Sequence, residues 1–255
     1  MAVIEKLSHL TRTVLGRGHY TAAIVLAGGS GSRMGSDTTK QMLTLAGKPL
    51  IIHSLLAMEE CDYIDEVILV AKADEVDLYP AMLEEYGIQK VTHIVEGGDT
   101  RQASVLKGFE VIPDKADHVA IHDGARPLIT PAQIKAVVVA AYDYKAAAAA
   151  APAKDSVKVT NISGMIDYTV DRKTVWLMQT PQVFYANLFR ASIYTAAKDK
   201  FVGTDDTEVA EHAGFSTKLI DTGYENIKVT TPVDLQLAEI ILNNRAQAAR
   251  ESSHD

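Results

Sequence analysis

Short apolar runs recur through the first half of the chain. Each run holds five or six residues, most of them aliphatic, and polar and apolar positions do not alternate regularly within it. Runs of this kind are typical of strands in a sheet that is covered on both faces. The predicted strands are residues 22–27, 66–71, 91–95 and 118–122.

Longer amphipathic stretches lie between these runs and predict helices. Each stretch is 10 to 13 residues long, which suits a helix of about three turns. The repeated alternation of strand and helix predicts an α/β fold with a Rossmann-like, doubly wound and mostly parallel sheet. The predicted helices are residues 49–60, 78–87 and 100–112.

Two Thr-Pro dipeptides mark the starts of further helices, at Thr130 and at Thr231. A threonine hydroxyl can accept a hydrogen bond from a free N–H group of the first turn, and proline suits the first helical position. The segment before the second dipeptide, within residues 226–239, is predicted to be a strand that ends on Lys228.

The alanine run at residues 145–155 is ambiguous by composition. Alanine favours helix, but six alanines followed by proline also fit a buried strand of small residues, and the strand is our interpretation. The next stretch, residues 153–175, alternates β-branched and polar residues around an Asn-Ile-Ser-Gly turn. This pattern predicts a protruding β-hairpin arm.

The length of 255 residues is enough for one large α/β domain or for two small ones. No internal repeat or disordered linker divides the chain, so we predict one domain over residues 21–244. Residues 1–20 are interpreted as an N-terminal extension, and residues 245–255 as a helical C-terminal tail.

Charge and composition narrow the class of protein. The net charge of −8 argues against general nucleic-acid binding, which neutralises many phosphates, although a few converging cations could still hold one anionic ligand. No run approaches the roughly 18–20 apolar residues of a membrane span, and the start of the chain does not resemble a secretory signal. We therefore expect no nucleic-acid or membrane partner.

Cys61 is the only cysteine. A disulfide framework is therefore impossible, and a zinc site built on cysteines is not expected. A single cysteine fits a reducing compartment, so the expected location is the cytoplasm, or a plastid-type compartment if the source is eukaryotic.

Polar clusters follow three of the predicted strands at their carboxyl ends. They are GGSG at residues 28–31, GG at 97–98 and HDGARP at 122–127. The carboxyl ends of parallel strands meet at one edge of the sheet, where such sheets bind their ligands. The three clusters therefore predict a binding site at this edge.

The first cluster points to phosphate. Its glycines let backbone N–H groups approach phosphate oxygens, and Arg33 and Lys40 add positive charge seven residues apart. The sequence lacks the Gly-Lys-Ser/Thr of a P-loop, and its glycine spacing does not fit the G-x-G-x-x-G dinucleotide motif. A bound chain of phosphates is the chemistry that this loop suggests, although a plain strand-to-helix turn is an equal alternative for the loop alone.

The other two clusters leave alternatives open. Asp99 and Ser104 could hydrogen-bond a base or a ribose, but Asp99 or Thr100 could also simply cap the next helix. Asp123 and Arg126, at the end of an apolar strand, could serve a site or form a buried ion pair.

Two features nearer the carboxyl terminus are also ambiguous. The paired carboxylates Asp205 and Asp206 could bind a metal or hold a lysine, but one of them is better interpreted as a helix cap. A lone lysine such as Lys228 is most often solvated.

Seven ordered motifs together are more specific than any one of them. Between about residue 21 and residue 244 the chain resembles the 2-C-methyl-D-erythritol 4-phosphate cytidylyltransferase family. The related ribitol-5-phosphate cytidylyltransferases share the first loop and the NIK–TTP segment, but TVDRKTVWLMQTPQ looks more like the methylerythritol enzymes. The motifs are LAGGSGSRMG with KQ, GGDTRQASVLKGF, HDGARP, APAKDSVK, YTVDRKTVWLMQTPQVF, TDDTEVAEHAG and NIKVTTPVDLQLAE.

The resemblance implies a reaction of the isoprenoid precursor pathway. CTP and a sugar-alcohol phosphate would give a CDP-alcohol and pyrophosphate, with Mg²⁺ bound mainly through the CTP phosphates and no metal-ligating side chain predicted. The family's hairpin arm crosses to a partner subunit. The resemblance therefore implies a homodimer.

The resemblance also assigns residues to the nucleotide. Backbone groups and small side chains should surround the cytosine and ribose, and the glycine loop should hold the triphosphate. The nucleotide-binding residues implied are Ala27, Gly28, Gly29, Gly31, Gly98, Asp99, Ser104 and Asp123.

A second implied set holds the polyol phosphate and promotes the transfer. Arg172, on the arm, would serve the site of the neighbouring subunit. The substrate-binding residues implied are Arg126, Ser156, Arg172, Thr180 and Lys228. The catalytic residues implied are Arg33, Lys40 and Lys228.

Three positions depart from the family pattern without removing a charge. Thr39 replaces a proline before the lysine, which leaves the loop without one fixed φ angle. Gly28 replaces an alanine, and Ser156 replaces a threonine but keeps the hydroxyl.

Two other classes of protein remain as alternatives. A nucleotide sensor with a degenerate site would bind CTP without turnover, although the presence of both Arg33 and Lys40 argues against it. A Rossmann-type dehydrogenase would need an acidic residue after the second strand, and Asp74 or Glu75 could fill that role.

Overall fold

The computed structural model describes residues 18–28 and 40–252. The strands are β1 Thr21–Leu26, β2 Thr44–Leu45, β3 Lys48–Pro49, β4 Glu66–Ala71, β5 Val91–Glu96, β6 His118–Asp123, β7 Ala146–Pro152, β8 Lys158–Thr160, β9 Ile166–Thr169, β10 Trp176–Tyr185 and β11 Lys218–Asp221. The α-helices are α1 Leu50–Glu60, α2 Tyr79–Glu85, α3 Arg101–Glu110, α4 Pro131–Tyr144, α5 Ala186–Asp199, α6 Asp206–His212 and α7 Pro232–Ser252.

A seven-stranded sheet in the order β11-β7-β10-β6-β1-β4-β5 organises the fold. Its ladders are parallel except where β10 pairs antiparallel with β6 and β7. The chain runs from β1 outward to β4 and β5, and then crosses to β6 on the other side of β1. The strand order therefore reverses between β1 and β6, and ligands of doubly wound sheets bind beyond the carboxyl ends at such a point.

Helices cover both faces of the sheet, as the continuous apolar strands predicted. Val25 of β1 belongs to a core cluster with Leu55 of α1 and Val137 of α4. Ile24, which points to the opposite face, belongs to a second cluster with Phe109 of α3. Every residue of β1, β4 and β6 is buried, so the mostly parallel α/β class is confirmed.

The alanine run is a strand. β7 is buried over its six alanines and pairs with β10 and β11. Lys145 ends α4 in the left-handed region, at φ 65°, and the chain turns directly into the sheet. The expectation of a buried strand of small residues is therefore confirmed.

The predicted hairpin lies within residues 153–175. β8 and β9 form a separate two-stranded antiparallel sheet, and the residues of β9 are all exposed. The hairpin itself is thus observed, while its part in dimerisation remains a prediction.

Both predicted Thr-Pro helix starts are confirmed. The Thr130 hydroxyl accepts a hydrogen bond from the Gln133 N–H in a reciprocal capping box. The Thr231 hydroxyl accepts from the Asp234 N–H at 3.3 Å. These caps fix where α4 and α7 leave the edge of the sheet.

The prediction of a strand that ends on Lys228 is wrong. Residues 222–230 form an irregular connection, in which the Val229 N–H donates to the Ala125 carbonyl at 2.8 Å. The alternating Ile227 and Val229 pack into a small core cluster beside α7, so their apolar pattern reflects local packing and not a sheet.

Some predicted segments lie partly outside the described residues. Residues 1–17 of the N-terminal extension and 253–255 of the tail belong there, whereas 245–252 continue α7. Among the helices described, none is long and apolar enough to cross a membrane.

Gly108 lets α3 approach the sheet closely. A Cβ placed on Gly108 would lie 2.7 Å from Ile24 Cγ2 and 2.9 Å from Val70 Cγ2. Alanine would normally stabilise a helix interior by up to about 1 kcal/mol, but overpacking of a core costs roughly 1–3 kcal/mol. We expect Gly108→Ala to lower the free energy of unfolding, measured by urea denaturation. Gly18→Ala, where no atom lies within 4 Å of the added Cβ, is the control; equal stability of the two variants would contradict the prediction.

Candidate active site

A cavity of about 520 Å³ opens beyond β1, β4 and β5. It lies at the carboxyl edge of the sheet, where three polar clusters were predicted to meet. Its lining includes Gly28, Gly98, Asp99, Arg101 and Ser104. Four of these residues were assigned to the nucleotide from the sequence, and the structure brings them together.

The Gly98 turn shapes one wall of this cavity. The Gly98 N–H donates to Ser104 Oγ at 3.0 Å, and the Ser104 hydroxyl lies 3.0 Å from the Thr100 carbonyl oxygen. A Cβ on Gly98 would lie 2.6 Å from Ala103 Cβ, so the turn requires glycine. Ser104 therefore holds the shape of the wall, whether or not it also contacts a ligand.

The cap of α3 is Thr100 and not Asp99. The Thr100 hydroxyl accepts from the Ala103 N–H at 3.1 Å. Asp99 is exposed and lines the cavity. Asp99 therefore has no role as the helix cap and remains open to a ligand.

A second cavity of about 220 Å³ lies on the other side of the switch point. Asp123, Arg126, Thr180 and Lys228 all line it, so four further predicted residues meet. Arg101 lines both cavities. The two cavities therefore adjoin at one side chain.

A chain of ion pairs crosses this junction. Arg101 Nη2 lies 2.7 Å from Asp206 Oδ2, and Arg101 Nε lies 3.2 Å from Asp123 Oδ1. The other Asp123 oxygen, Oδ2, lies 2.7 Å from Lys228 Nζ. Lys228 is therefore ion-paired with Asp123 at the junction and is not an isolated, solvated side chain.

The Asp123 carboxylate is held in its charged form. Burial opposes its ionisation, but the cations of Arg101, Lys228 and Arg126 outweigh burial and hold the pKa of Asp123 well below its usual range. Asp123 was predicted to serve a site or a buried ion pair. It forms the ion pairs and lines the cavity as well.

The Arg126 guanidinium is hydrogen-bonded mainly to backbone carbonyls and not to carboxylates. Its Nη1 donates to the Asn226 carbonyl at 2.8 Å and its Nη2 to the Met178 carbonyl at 3.2 Å. Its Nε is buried and has no hydrogen-bond partner among the described residues. Carbonyls orient the guanidinium without neutralising it, so positive charge is left for an anion.

The Thr180 hydroxyl joins β10 to β6. It accepts from the Asp123 N–H at 3.0 Å and lies 3.0 Å from His122 Nδ1. Burial lowers the pKa of His122 to about 4, so the imidazole is neutral at pH 7 and its Nδ1 can accept the hydroxyl proton. Thr180 thereby fixes the backbone that carries Asp123.

A buried amide cluster holds the Lys228 connection against β10. Asn226 Nδ2 donates to Gln179 Oε1 and to the Thr180 carbonyl, both at 2.9 Å. The Thr222 hydroxyl donates to the same Gln179 oxygen at 2.7 Å. Sequence analysis missed this cluster, because amides far apart in the chain carry no local pattern.

The paired carboxylates have different tasks. Asp205 caps α6 by accepting from the Glu208 N–H at 2.9 Å, as was expected for one of them. Asp206 forms an ion pair with Arg101. The sequence had suggested a metal ion or a lysine as the partner of these carboxylates. Among residues 18–28 and 40–252, no group of three or more His, Cys, Asp or Glu side chains is arranged to hold a metal ion.

Several predicted residues are not at the two cavities. Ser156 and Arg172 are exposed on the arm, and Arg172 Nη1 donates to the Lys154 carbonyl at 2.7 Å. Ala27 donates its N–H to the Val70 carbonyl at 2.7 Å, directly before Gly28. The remaining predicted residues of the glycine loop, together with Thr39, lie outside the described residues: Gly29, Gly31 and Arg33.

Lys40 begins a short turn whose next residue lies near the end of β6. Lys40–Met42 is a short 3₁₀ turn, and the next residue, Gln41, is buried. A Cβ placed on Gly124, just beyond β6, would lie 3.5 Å from Gln41 Oε1. The chain therefore returns from the glycine loop to the carboxyl edge of the sheet.

Arg101 is the main site residue that sequence analysis overlooked. It stands at the first position of α3, where the partial positive charge of the helix N-terminus disfavours a cation. An arginine at the first helical position, three residues after Gly98, is the local feature by which the sequence could have marked this residue.

The fold and the two adjoining cavities define an α/β protein with a pocket lined by cationic side chains at the switch point of its sheet. The chain belongs to the 2-C-methyl-D-erythritol 4-phosphate cytidylyltransferase family, whose model matches residues 21–244. This is the family that the ordered motifs predicted, and it is a family of nucleotidyltransferases and not of dehydrogenases.

Individual relatives agree with this assignment. The chain is 41% identical over 222 residues to the 2-C-methyl-D-erythritol 4-phosphate cytidylyltransferase of Caldanaerobacter subterraneus subsp. tengcongensis, covering 87% of this chain and 98% of the relative. The enzyme of the same name from Pelotomaculum thermopropionicum is 42% identical over 225 residues, covering 88% of this chain and 94% of the relative.

A solved structure has the same fold. The crystal structure of 4-diphosphocytidyl-2C-methyl-D-erythritol synthase from Anaerococcus prevotii superposes with a TM-score of 0.79 at 29% identity. The match covers 89% of this chain and 99% of that structure.

Proposed function

We propose that this protein transfers a cytidylyl group from CTP to 2-C-methyl-D-erythritol 4-phosphate, giving the CDP-alcohol and pyrophosphate. The observation that carries the proposal is the meeting of two cavities at the switch point, in a chain that matches the family over residues 21–244. A transfer between two substrates needs two adjoining pockets, and these share Arg101.

The larger cavity suits the nucleoside of CTP. Gly28, Gly98 and Asp99 offer backbone groups and one exposed carboxylate, which fit the donors and acceptors of cytosine and ribose. The triphosphate would extend toward the glycine loop, Arg33 and Lys40. Cytidine would thus lie over β1 and β4, with its α-phosphate directed at the junction.

Mg²⁺ would supply further positive charge on the triphosphate. An ion carried by the CTP phosphates needs no cluster of protein carboxylates, and the described residues offer none. The donors present are therefore compatible with an ion that arrives bound to its nucleotide.

The smaller cavity suits the phosphate of the polyol. Arg126 and Lys228 bring two cations to its lining, and Thr180 lines the same cavity. In the free protein Lys228 is paired with Asp123. An incoming phosphate would share this lysine, and Asp123 would limit how far its ammonium group can move.

Electrostatic stabilisation accounts for the chemistry. A phosphate oxygen of the polyol attacks the α-phosphorus of CTP, the bond to the β-phosphate oxygen breaks, and pyrophosphate leaves with the bonding electron pair. The attacking phosphate is already ionised, so no general base is required. Arg33, Lys40 and Lys228 would offset the repulsion between the two anions and stabilise the charge that builds on the α-phosphoryl oxygens and the leaving group.

The arm supports a homodimer. Ile162, Met165, Ile166 and Tyr168 are exposed on it, and exposed apolar clusters of this kind mark interaction surfaces. A second copy covering them would bring its own arm to this protein's site. Ser156 and Arg172 would then complete the polyol phosphate pocket of the neighbour.

We propose a cytoplasmic location, with no nucleic-acid partner. The net charge of −8 disfavours a polyanionic partner. Cys61 is the only cysteine of the chain and is buried as a free thiol, which fits a compartment in which thiols stay reduced.

Pyrophosphate release tests the proposed function. The purified chain is incubated with CTP, Mg²⁺ and each of a panel of polyol phosphates, and pyrophosphate is measured with a coupled assay. We expect release that depends on both substrates. CTP binding without release would instead indicate a nucleotide sensor, and protection from thermal unfolding by NAD but not CTP would indicate a dehydrogenase.

We expect methylerythritol phosphate to exceed ribitol phosphate by at least about tenfold in kcat/KM. Both substrates carry the phosphate that Arg126 and Lys228 would anchor, so the preference must come from contacts to the polyol. An altered hydroxyl pattern leaves buried polar groups unpaired, at about 1–3 kcal/mol each. Equal values, or a preference for ribitol phosphate, measured at saturating CTP would contradict the substrate assignment while leaving cytidylyl transfer intact.

A further inference from the structure

Arg101 occupies a place that no other described residue shares. It begins α3, lines both cavities and pairs with two carboxylates from distant parts of the chain. Its side chain is only 28% exposed. It is therefore a largely buried cation at the boundary between the two proposed substrates.

The two ion pairs use different edges of the guanidinium. Nε faces Asp123 Oδ1 at 3.2 Å, and Nη2 faces Asp206 Oδ2 at 2.7 Å. A planar fork can serve two carboxylates in fixed directions, whereas an ammonium is a single point of charge. Lysine at this position could reach one carboxylate but would not orient both.

Asp123 links Arg101 to the lysine of the polyol cavity. One carboxylate oxygen is held by Arg101 and the other lies 2.7 Å from Lys228 Nζ. A carboxylate fixed on one side presents its second oxygen in a defined direction. The position of the Lys228 ammonium group therefore depends on Arg101.

The charges around the junction are nearly balanced. Arg101 separates two buried carboxylates, and without it the carboxylates would repel each other with less compensation. The titratable and charged groups facing the junction are His122 and Asp123 of β6, Arg126 after it, Asp205 and Asp206 at the start of α6, and Lys228 of the connection before α7.

We propose that Arg101 is a positioning residue for cytidylyl transfer: it holds the Asp123 carboxylate in a fixed orientation, and Asp123 in turn holds the Lys228 ammonium group at the boundary where the polyol phosphate meets the nucleotide. The inference rests on the proposed function. Arg101 is not assigned a contact with the reacting phosphorus.

The Arg101→Gln variant tests the inference through kinetics. The KM for methylerythritol phosphate is expected to rise about tenfold or more, because Lys228 loses its fixed position, while the KM for CTP changes less. The low-pH limb of kcat/KM is expected to move to higher pH. Asp123 is ionised in the native protein even in acid because its pKa is depressed; without Arg101 its pKa rises, so it protonates and releases Lys228 at a higher pH than before.

A double variant separates positioning from folding. Arg101→Gln leaves Asp206 buried and unpaired, so the variant is expected to lose thermal stability. Arg101→Gln with Asp206→Asn removes that charge and is expected to recover stability but to keep the raised KM and the shifted acid limb. Recovery of wild-type kinetics together with stability would overturn the inference, because Arg101 would then act only as the structural partner of Asp206.

Two controls complete the experiment. Arg190→Gln removes an arginine whose guanidinium lies over the Phe109 ring, 5.1 Å from its centroid, and should leave both KM values unchanged. Arg101→Lys should restore charge but not orientation, so its KM for the polyol phosphate should remain raised; full rescue by lysine would overturn the inference. Wild-type turnover is measured alongside the variants, so absence of wild-type activity would refute the proposed function, whereas unaltered kinetics in Arg101→Gln would refute only the role of Arg101.

Discussion

Replacement of Lys40 by alanine is expected to lower kcat by about 10²–10³-fold. A cation placed where negative charge develops in the transition state contributes about 3–4 kcal/mol. The KM for CTP should rise less, because the glycine loop and the walls of the larger cavity still bind the nucleotide. The quantity to measure is steady-state pyrophosphate release at saturating concentrations of both substrates.

The position of the backbone motivates this prediction. Lys40 begins the turn that brings the chain back to the carboxyl edge, and its neighbour Gln41 lies buried beside Gly124. Lys48→Ala is the matched control: this lysine belongs to β3 and lies over the Tyr86 ring, 5.9 Å from its centroid. Near wild-type kcat in Lys40→Ala would refute the catalytic assignment.

Mixing two inactive variants is expected to restore activity. If Arg172 acts across the dimer, a hybrid of one Lys40→Ala chain and one Arg172→Ala chain has one site that lacks both residues and one that is intact. Random exchange at equal concentrations makes half of the dimers hybrid, so activity should recover to about a quarter of the wild-type value. The assay uses subsaturating polyol phosphate, at which loss of Arg172 is most damaging.

A second mixture is the control for subunit exchange. Arg33 and Lys40 are both assigned to the loop of one chain, so hybrids of Arg33→Ala with Lys40→Ala contain no intact site and should stay inactive. Failure of the Lys40→Ala and Arg172→Ala mixture to exceed its parents, with exchange verified by native mass spectrometry, would show that Arg172 does not serve the neighbouring site.

The parallel core of the fold could be predicted from the sequence because its signal is local. A strand such as β1 is buried on both faces and is therefore apolar at five of its six positions, Thr21 being the exception. The site edge could also be predicted, since Gly98 lies two residues beyond β5 and Asp123 is the last residue of β6. Because parallel strands have their carboxyl ends at the same edge of the sheet, these two residues were expected to lie close together.

The antiparallel strand β10 was missed for a physical reason. It passes from the exposed arm into the buried sheet, so its burial changes from partly exposed at Trp176 to buried at Phe184, and no single period describes it. Its polar residues, including Gln179 and Gln182, are buried because they bond to distant segments. Such partners cannot be found from spacing along the chain.

The ion pairs of the junction were also beyond sequence reasoning. Asp206 and Arg101 are 105 residues apart, and only the crossing of β6 beside β1 brings α3 and α6 together. The incorrect prediction of a strand ending on Lys228 also arose because contacts between distant parts of the chain cannot be seen in the local sequence. A β-branched alternation was interpreted as sheet, although tertiary packing beside α7 explains it.

The six alanines of β7 bear on the order in which the chain folds. Alanine is the best helix former and is depleted in strands, and the segment directly follows the helix α4. Its strand conformation is imposed by β10 and β11, which both come later in the sequence. During synthesis, which proceeds from the amino terminus, residues 146–151 therefore emerge before the strands that order them. The half of the sheet beyond β6 can be completed only after Asp221 has been made, so the edge of β7 that pairs with β11 stays without its partner strand for some 70 residues of translation.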